Sequence, residues 1–253
     1  MPTTSGSDAA SDVAFTTDTL ARGRVTLFQP TSGFRSSLDP VLLAGFVTPP
    51  FGRVLDIGCG TGALAFLLLA GDPAATGVAV ELQPRLASLA RRALAPNGLS
   101  QRLELIEGDV RHLGGERLRA ASFDLVATNP PFRLVSDGQS SPDPERARAH
   151  HELTLTLAQW VAVAARVVRP DGRVAVIFAA ERTVELLAEL QRHGLQPTRL
   201  RAVHPVAERP ASRVLVEARR AGRTPFVLEP PLVIHGTDGQ RFSDEVARLL
   251  GER

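Results

Sequence analysis

Four consecutive residues, Asn129-Pro130-Pro131-Phe132, have the chemistry to hold a planar amine. They follow the apolar run 123–128, which is typical of a buried strand. Proline has no N–H for a sheet ladder and fixes φ at about −65°, so the strand must end and the chain must turn. The turn presents a carboxamide, free carbonyl oxygens and an aromatic ring. Taken alone, the four residues favour an ordinary Asn-Pro turn, and the rest of the chain must decide.

A second candidate site is the glycine-rich segment that begins at Asp56. Gly58, Gly60 and Gly62 alternate with other residues, which lets the backbone turn sharply and approach a ligand closely. The spacing is not the dinucleotide pattern G-x-G-x-x-G, because the third glycine comes one residue too early. An acid at the end of the preceding strand would repel a pyrophosphate. It suits a cationic or zwitterionic ligand, whose amino group the carboxylate can meet.

Two further acids follow the next two predicted strands. Glu81 ends the strand 77–81, and Asp109 comes just after the strand 102–107. An acid at the place of Glu81 reaches the ribose hydroxyls in nucleotide-binding sheets, and Asp109 can accept a hydrogen bond from an adenine amino group. Each alone is more simply a solvated acid at a strand end. Three in succession over one sheet edge indicate a site for a nucleoside-like ligand.

The elements that must position these residues alternate between strands and helices. Strands are predicted over 53–57, 77–81, 102–107, 123–128 and 172–179, and helices over 62–70, 84–95, 151–168 and 181–193. This alternation is typical of βαβ units in a parallel sheet. The last third has strands over 198–204, 212–219 and 226–234 and a short helix over 242–250. We therefore predict an α/β fold with a mainly parallel, doubly wound sheet and an antiparallel C-terminal addition.

The domain organisation follows from composition. Residues 1–16 are small and polar and are predicted to be a disordered tail, whereas residues 17–253 are predicted to form a single domain. Residues 17–50 form an N-terminal extension of that domain, with a hairpin around Gly23 and a short helix that Asp39 caps.

Composition bounds the partners and the compartment. All 29 basic residues are arginines, whose planar donor forks suit phosphate, although this composition alone fits codon bias better. The single cysteine, Cys59, excludes an intrachain disulfide and suits a reducing cytosol. His150 and His151 have no further ligands at metal-binding spacing, so no metal is predicted. The chain shows neither a signal peptide nor an apolar run of about 20 residues, so we expect a cytoplasmic protein without a membrane partner.

The ordered set of motifs resembles class I S-adenosylmethionine-dependent methyltransferases that act on amino groups. The resemblance implies a Rossmann-like fold and S-adenosylmethionine as the methyl donor. It implies that the glycine loop cradles the methionine and ribose, that the second acid binds the ribose, that the third binds adenine, and that Asn-Pro-Pro-Phe holds the target amine. Those residues are Asp56, Gly58, Gly60, Gly62, Glu81, Asp109, Asn129, Pro130, Pro131 and Phe132.

A narrower resemblance covers most of the chain. The segments 33–44, 141–148 and 230–235 are similar to those of bacterial tRNA adenine-N6 methyltransferases, which modify the adenosine beside the anticodon of a valine tRNA. The resemblance implies a tRNA substrate. Arg133, Arg146 and Arg148 are then candidates for phosphate contacts, and the loop 136–148 after the Asn-Pro-Pro-Phe turn is expected to serve the ligand.

An adenine N6 amine is a poor nucleophile because its lone pair is delocalised into the ring. The Asn129 carboxamide oxygen and the Pro130 carbonyl could each accept one N6 hydrogen and so localise that lone pair, while Phe132 stacks on the base. The nitrogen would then lie in line with the methyl group, and positioning would provide most of the catalysis.

Three alternatives stay open on the sequence alone. Release-factor glutamine methyltransferases use the same logic on an amide, but they usually have Tyr after the prolines and a larger helical N-terminal domain. A guanine-N2 methyltransferase of ribosomal RNA is the second alternative. The third is a non-catalytic module that binds the cofactor or RNA, against which the intact Asn129 and glycine loop argue.

Overall fold

The computed structural model describes residues 14–32, 35–115, 117–130, 155–220, 225–236 and 240–252. The strands are β1 (Phe15–Leu20), β2 (Val25–Pro30), β3 (Arg53–Ile57), β4 (Thr76–Glu81), β5 (Leu103–Glu107), β6 (Phe123–Thr128), β7 (Val168–Ala179), β8 (Gln196–His204), β9 (Arg213–Arg219), β10 (Val227–Leu228) and β11 (Leu232–Val233). The helices are α1 (Asp39–Phe46), α2 (Ala63–Gly71), α3 (Pro84–Ala93), α4 (Leu157–Val167), α5 (Thr183–Arg192) and α6 (Asp244–Leu250).

Within the described residues, the central sheet has nine strands in the order β10-β8-β9-β7-β6-β3-β4-β5, with β11 also paired to β8. Strands β3 to β7 are parallel, and β9 runs antiparallel between β7 and β8. This arrangement confirms the predicted fold class. The carboxyl ends of β3, β4, β5 and β6 therefore lie along one edge, called the carboxyl edge below.

The sheet has a hydrophobic layer on each face because its central strands are apolar on both sides. Val54 of β3 and Phe66 of α2 belong to one layer, whereas Leu55 and Trp160 of α4 belong to the other. Trp160 is only 1% exposed, so its indole ring belongs to the core of this layer. The hairpin β1–β2 is a separate two-stranded sheet, and β2 contacts α2 and α3.

The N-terminal extension differs from expectation in two details. Strand β1 begins at Phe15, so the last two residues of the predicted tail are ordered, and residues 1–13 lie outside the described part of the chain. Helix α1 begins at Asp39 itself, with Leu38 as the N-cap and Pro40 in the first turn. The prediction that Asp39 caps the helix is therefore wrong. Its carboxylate instead lies 3.5 Å from Nε of Arg213.

The C-terminal third also differs in one element. The strand predicted over 226–234 is interrupted, because Pro230 and Pro231 cannot donate to the ladder, and only β10 and β11 remain. Both pair with β8 in parallel, so they are not part of the antiparallel addition. No helix among the described residues is long and apolar enough to cross a bilayer.

Candidate active site

The strand register brings the predicted site residues to the carboxyl edge. Ile57 of β3 lies opposite both Thr128 of β6 and Val80 of β4, so Asn129 and Gly58 are the first residues beyond two adjacent strands. A cleft opens there, and its lining includes the predicted Asp56, Gly58, Gly60 and Asn129. The remaining lining residues are Ser36, Pro40, Cys59, Thr61, Ala63 and Leu64.

The glycine loop has a backbone that ordinary residues rarely adopt. Gly58, Gly60 and Gly62 have φ values of 70°, 57° and 92°. At Gly62 a Cβ atom would lie 2.5 Å from the ring of Phe66, whereas a Cβ at Gly58 would meet no atom within 4 Å. The first glycine therefore leaves open space that a ligand can fill, and the third allows the helix that follows to pack closely.

Asp56 is a buried carboxyl group inside this cleft. It is 1% exposed, and its Oδ2 accepts a hydrogen bond of 3.1 Å from the backbone N–H of Ala65 in the first turn of α2. Burial raises its pKa from 3.8 to about 7, and the nearby Glu81 adds to the shift. A cationic group in the cleft would favour the ionised form, so the carboxyl group suits an ammonium ligand.

Glu81 ties the end of β4 to the glycine loop. Its Oε2 accepts a hydrogen bond of 2.8 Å from the N–H of Gly60, and its Oε1 accepts one of 2.8 Å from the N–H of Gln83. Burial raises its pKa, and these two bonds offset part of the shift. Each carboxylate oxygen keeps a second lone pair, so the group can hold the glycine loop and still accept from hydroxyl groups.

Asp109 lies further along the same edge, beyond β5, and does not line the cleft. Its carboxylate accepts from Nε of Arg111 at 2.9 and 3.0 Å and from the backbone N–H of Arg111 at 2.9 Å. The hydrogen bonds from Arg111 hold the pKa of Asp109 below its usual range. Nη1 of Arg111 also lies 3.4 Å from Oε1 of Gln159, which links this acid to α4.

The Asn-Pro turn is held against β3. The hydroxyl of Thr128 donates a hydrogen bond of 2.9 Å to the carbonyl of Ile57, which fixes the ends of β6 and β3 to each other. Asn129 is half-buried in the cleft and Pro130 is buried. The other predicted residues of the turn and loop, namely Pro131, Phe132, Arg133, Arg146 and Arg148, lie outside the described residues.

Sequence reasoning missed three residues of this edge. Ser36 and Thr61 line the cleft with buried hydroxyl oxygens, and neither has a hydrogen-bond partner within the part of the chain that the structure describes. Leu82, directly after Glu81, is 38% exposed, which offers an apolar surface beside the acid. Thr61 lies inside the glycine-rich segment and Ser36 inside the segment 33–44, so both motifs contained the residue, although neither hydroxyl group was predicted to be part of the site.

Comparison with known proteins gives concordant relatives. The family model described as the methyltransferase small domain matches residues 38–193. A tRNA1(Val) (adenine(37)-N6)-methyltransferase from Porphyromonas gingivalis is 32% identical over 92% of this chain and 93% of its own length. A relative of the same name from Aeromonas hydrophila is 34% identical over 78% of this chain and 80% of its own.

A solved structure from Agrobacterium tumefaciens, described as a predicted O-methyltransferase, has a TM-score of 0.68 and 24% identity. It covers 85% of this chain and 96% of its own, and it shows a shared fold.

The sheet order and the family match together define a Rossmann-like methyltransferase of class I. The chain belongs to the methyltransferase small-domain family. This membership confirms the predicted enzyme class and its methyl donor, S-adenosylmethionine.

Proposed function

We propose that residues 17–253 act as one domain that transfers the methyl group of S-adenosylmethionine to the N6 amine of an adenosine in tRNA. The observation that carries this proposal is that Asn129 and the glycine loop after Asp56 line a single cleft. An acceptor for an amine therefore lies beside a pocket for a zwitterionic nucleoside. The relatives named as tRNA adenine-N6 methyltransferases supply the substrate class.

The residues present fit the donor at both ends. Asp56 would take the ammonium group of the amino-acid end, and the open space over Gly58 would admit its backbone. The second lone pairs of the Glu81 carboxylate would accept from the ribose hydroxyls. Arg111 now donates hydrogen bonds to both carboxylate oxygens of Asp109. Asp109 would accept a hydrogen bond from the adenine amine after Arg111 gives up one of these bonds.

When bound, the donor supplies an electrophilic methyl group on its sulfonium. The Oδ1 atom of Asn129 and the carbonyl of Pro130 accept the two N6 hydrogens of the target base, which localises the nitrogen lone pair toward the methyl group. Phe132 stacks on the base, which is worth roughly 1–3 kcal/mol. The surplus proton leaves to water after transfer, so no strong base is required in the cleft.

The tRNA supplies a base that is already accessible. An anticodon-loop adenosine needs no extrusion from a duplex, so the enzyme does not have to provide that energy. Arg133, Arg146 and Arg148 contact the phosphates of the loop, and the substrate implies a cytoplasmic location.

The test is methyl transfer from labelled S-adenosylmethionine to an unmodified valine tRNA transcript, with the product nucleoside identified by mass spectrometry. We expect wild-type enzyme to form N6-methyladenosine. Asn129→Ala should lower kcat on the order of 100-fold, because a mispositioned amine loses its alignment with the methyl group. Its affinity for S-adenosylhomocysteine, measured by calorimetry, should stay the same.

Three outcomes would contradict the proposal. They are wild-type turnover by a folded Asn129→Ala enzyme, methylation of guanine N2 instead of adenine N6, and transfer to a glutamine side chain of a release factor without any transfer to tRNA.

A further inference from the structure

Gln29 is a polar residue at a buried position of the N-terminal hairpin. It is 5% exposed in β2, the strand whose Val25 and Leu27 pack into the hydrophobic core. Burial of a carboxamide costs free energy unless both its donor and its acceptor are satisfied. Its partners therefore indicate its role.

Both ends of the Gln29 carboxamide are used. Nε2 donates a hydrogen bond of 2.5 Å to Oδ2 of Asp18 on β1, and Oε1 accepts one of 2.6 Å from the backbone N–H of Ser36. The same Asp18 oxygen lies 2.6 Å from Nη2 of Arg35. Two successive residues of the segment that precedes α1 are thus fixed to the hairpin by side-chain hydrogen bonds.

Ser36 is the residue through which the hairpin reaches the active site. It lines the cleft together with Asp56 and Asn129. Its hydroxyl oxygen is buried and finds no hydrogen-bond partner among the described residues. A buried hydroxyl without a partner is unfavourable, so a ligand that offers an acceptor there gains a hydrogen bond that the free protein lacks.

We propose that Gln29 is a positioning residue for methyl transfer, because it holds Ser36 where the Ser36 hydroxyl donates a hydrogen bond to the carboxylate of the donor's amino-acid end. This inference rests on the proposed function. Asp56 in the same cleft takes the ammonium group. The positive end of the zwitterion thus meets a carboxylate, and its negative end meets a hydrogen-bond donor. The hairpin is then part of the binding site, although it is not part of the central sheet.

The test compares two ligands that differ only in the amino-acid end. S-adenosylhomocysteine carries that end and methylthioadenosine lacks it. We expect Ser36→Ala and Gln29→Ala each to weaken S-adenosylhomocysteine binding about tenfold by calorimetry, the effect of one lost hydrogen bond. Both variants should bind methylthioadenosine as the wild type does. Equal weakening of both ligands would indicate a general distortion and would overturn the proposal.

A double variant tests whether Gln29 acts through Ser36. Gln29 bonds the backbone N–H of Ser36, so Ser36→Ala leaves the Gln29 network intact. If Gln29 acts by aiming the hydroxyl, Gln29→Ala should cost no further affinity in the Ser36→Ala background. Additive losses would overturn the proposed coupling.

Asn97→Ala is the matched control. Asn97 anchors the same strand through hydrogen bonds of 2.8 Å to the N–H and to the carbonyl of Thr26, away from Ser36. It should lower the melting temperature and leave the affinity for S-adenosylhomocysteine unchanged. A Gln29→Ala variant that behaves in the same way would refute the positioning role.

The remaining outcomes separate a failure of this inference from a failure of the proposed function. If Gln29→Ala does not fold, Ser36→Ala decides alone, and an unchanged affinity there overturns the proposal. A wild-type protein that binds neither ligand would refute the proposed function itself. Wild-type binding with unaffected variants would refute only this inference.

Discussion

At the scale of single residues, burial rather than charge pairing governs the chemistry of the cleft. Desolvation raises the pKa of Asp56 to about 7, and it also raises the pKa values of Glu81 and of the Cys59 thiol. Cys59 therefore stays protonated at neutral pH, which agrees with the absence of any nucleophilic role for it in the proposed mechanism. A pKa of about 7 places the change in charge of Asp56 near neutral pH.

Asp56 should make the free protein less stable as the pH rises. Its pKa is raised above the unfolded value of 3.8, so its favourable contribution is complete below about pH 4 and is lost by about pH 7. The loss amounts to up to about 4 kcal/mol. Urea unfolding of Asp56→Asn should show a flatter pH profile between about pH 4 and pH 7 than the wild type. Parallel profiles for the two proteins would contradict the raised pKa.

Part of the site could be predicted from residue types because a parallel sheet aligns strand ends. Asp56 and Asn129 each come at the end of an apolar run, so their meeting in one cleft follows from the order of the chain. The place of Ser36 could not be predicted in this way. It depends on hydrogen bonds of the hairpin, which no periodic pattern encodes.

At the scale of elements, one arginine links the start of β5 to the end of α2 through hydrogen bonds to backbone carbonyls, and this set of bonds is called the Arg102 link below. Nη1 of Arg102 lies within 3.1 to 3.3 Å of the carbonyl oxygens of Leu69, Asp72, Pro73 and Ala75. Carbonyls at the end of a helix lack partners within the helix, and a guanidinium satisfies them with charge-assisted bonds.

Loss of the Arg102 link should destabilise the protein measurably. Arg102→Ala leaves part-buried carbonyls without their donor, so we expect the free energy of unfolding in urea to fall by about 2 kcal/mol. Arg119→Ala, at an exposed arginine before β6, is the matched control and should change it by less than about 0.5 kcal/mol. Equal effects of the two substitutions would show that the Arg102 link contributes nothing to the free energy of unfolding.

Elements with a clear apolar pattern were predicted well, and irregular ones were not. Strands β3 and β6 have the predicted bounds because both are largely apolar runs with all but one residue buried. Strand β7 starts at Val168 rather than at residue 172, because the intervening Arg-Pro-Asp-Gly, which is typical of a turn, is absorbed by a register shift against β6. Sequence patterns alone cannot show such an irregularity, since the partner strand determines it.

At the scale of the whole molecule, many of the arginines form ion pairs with acidic residues of the protein itself. Glu217 is 2% exposed and lies 3.4 to 3.7 Å from the guanidinium groups of Arg173, Arg199 and Arg219. The formal net charge is only +2. A count of 29 arginines therefore overstates the charge that the protein can offer to RNA, and we expect the proposed tRNA binding to depend on few phosphate contacts.

The salt dependence of tRNA binding measures that number of contacts. Each neutralised phosphate contributes about 0.7 to 0.9 to the slope of log K against log salt, so the three candidate arginines, Arg133, Arg146 and Arg148, predict a slope of roughly −2 to −3. Arg146→Gln and Arg148→Gln should each reduce the magnitude of the slope by about 0.7 to 0.9, and S-adenosylhomocysteine affinity should not change. Filter binding of valine tRNA between 50 and 200 mM salt, about the range over which such effects are measured, would show this. Arg119→Gln, at an exposed arginine that precedes the start of β6, is the control and should leave the slope unchanged. An unchanged slope in both loop variants would refute these arginines as phosphate contacts, because each lost contact must reduce the counterion release that the slope measures.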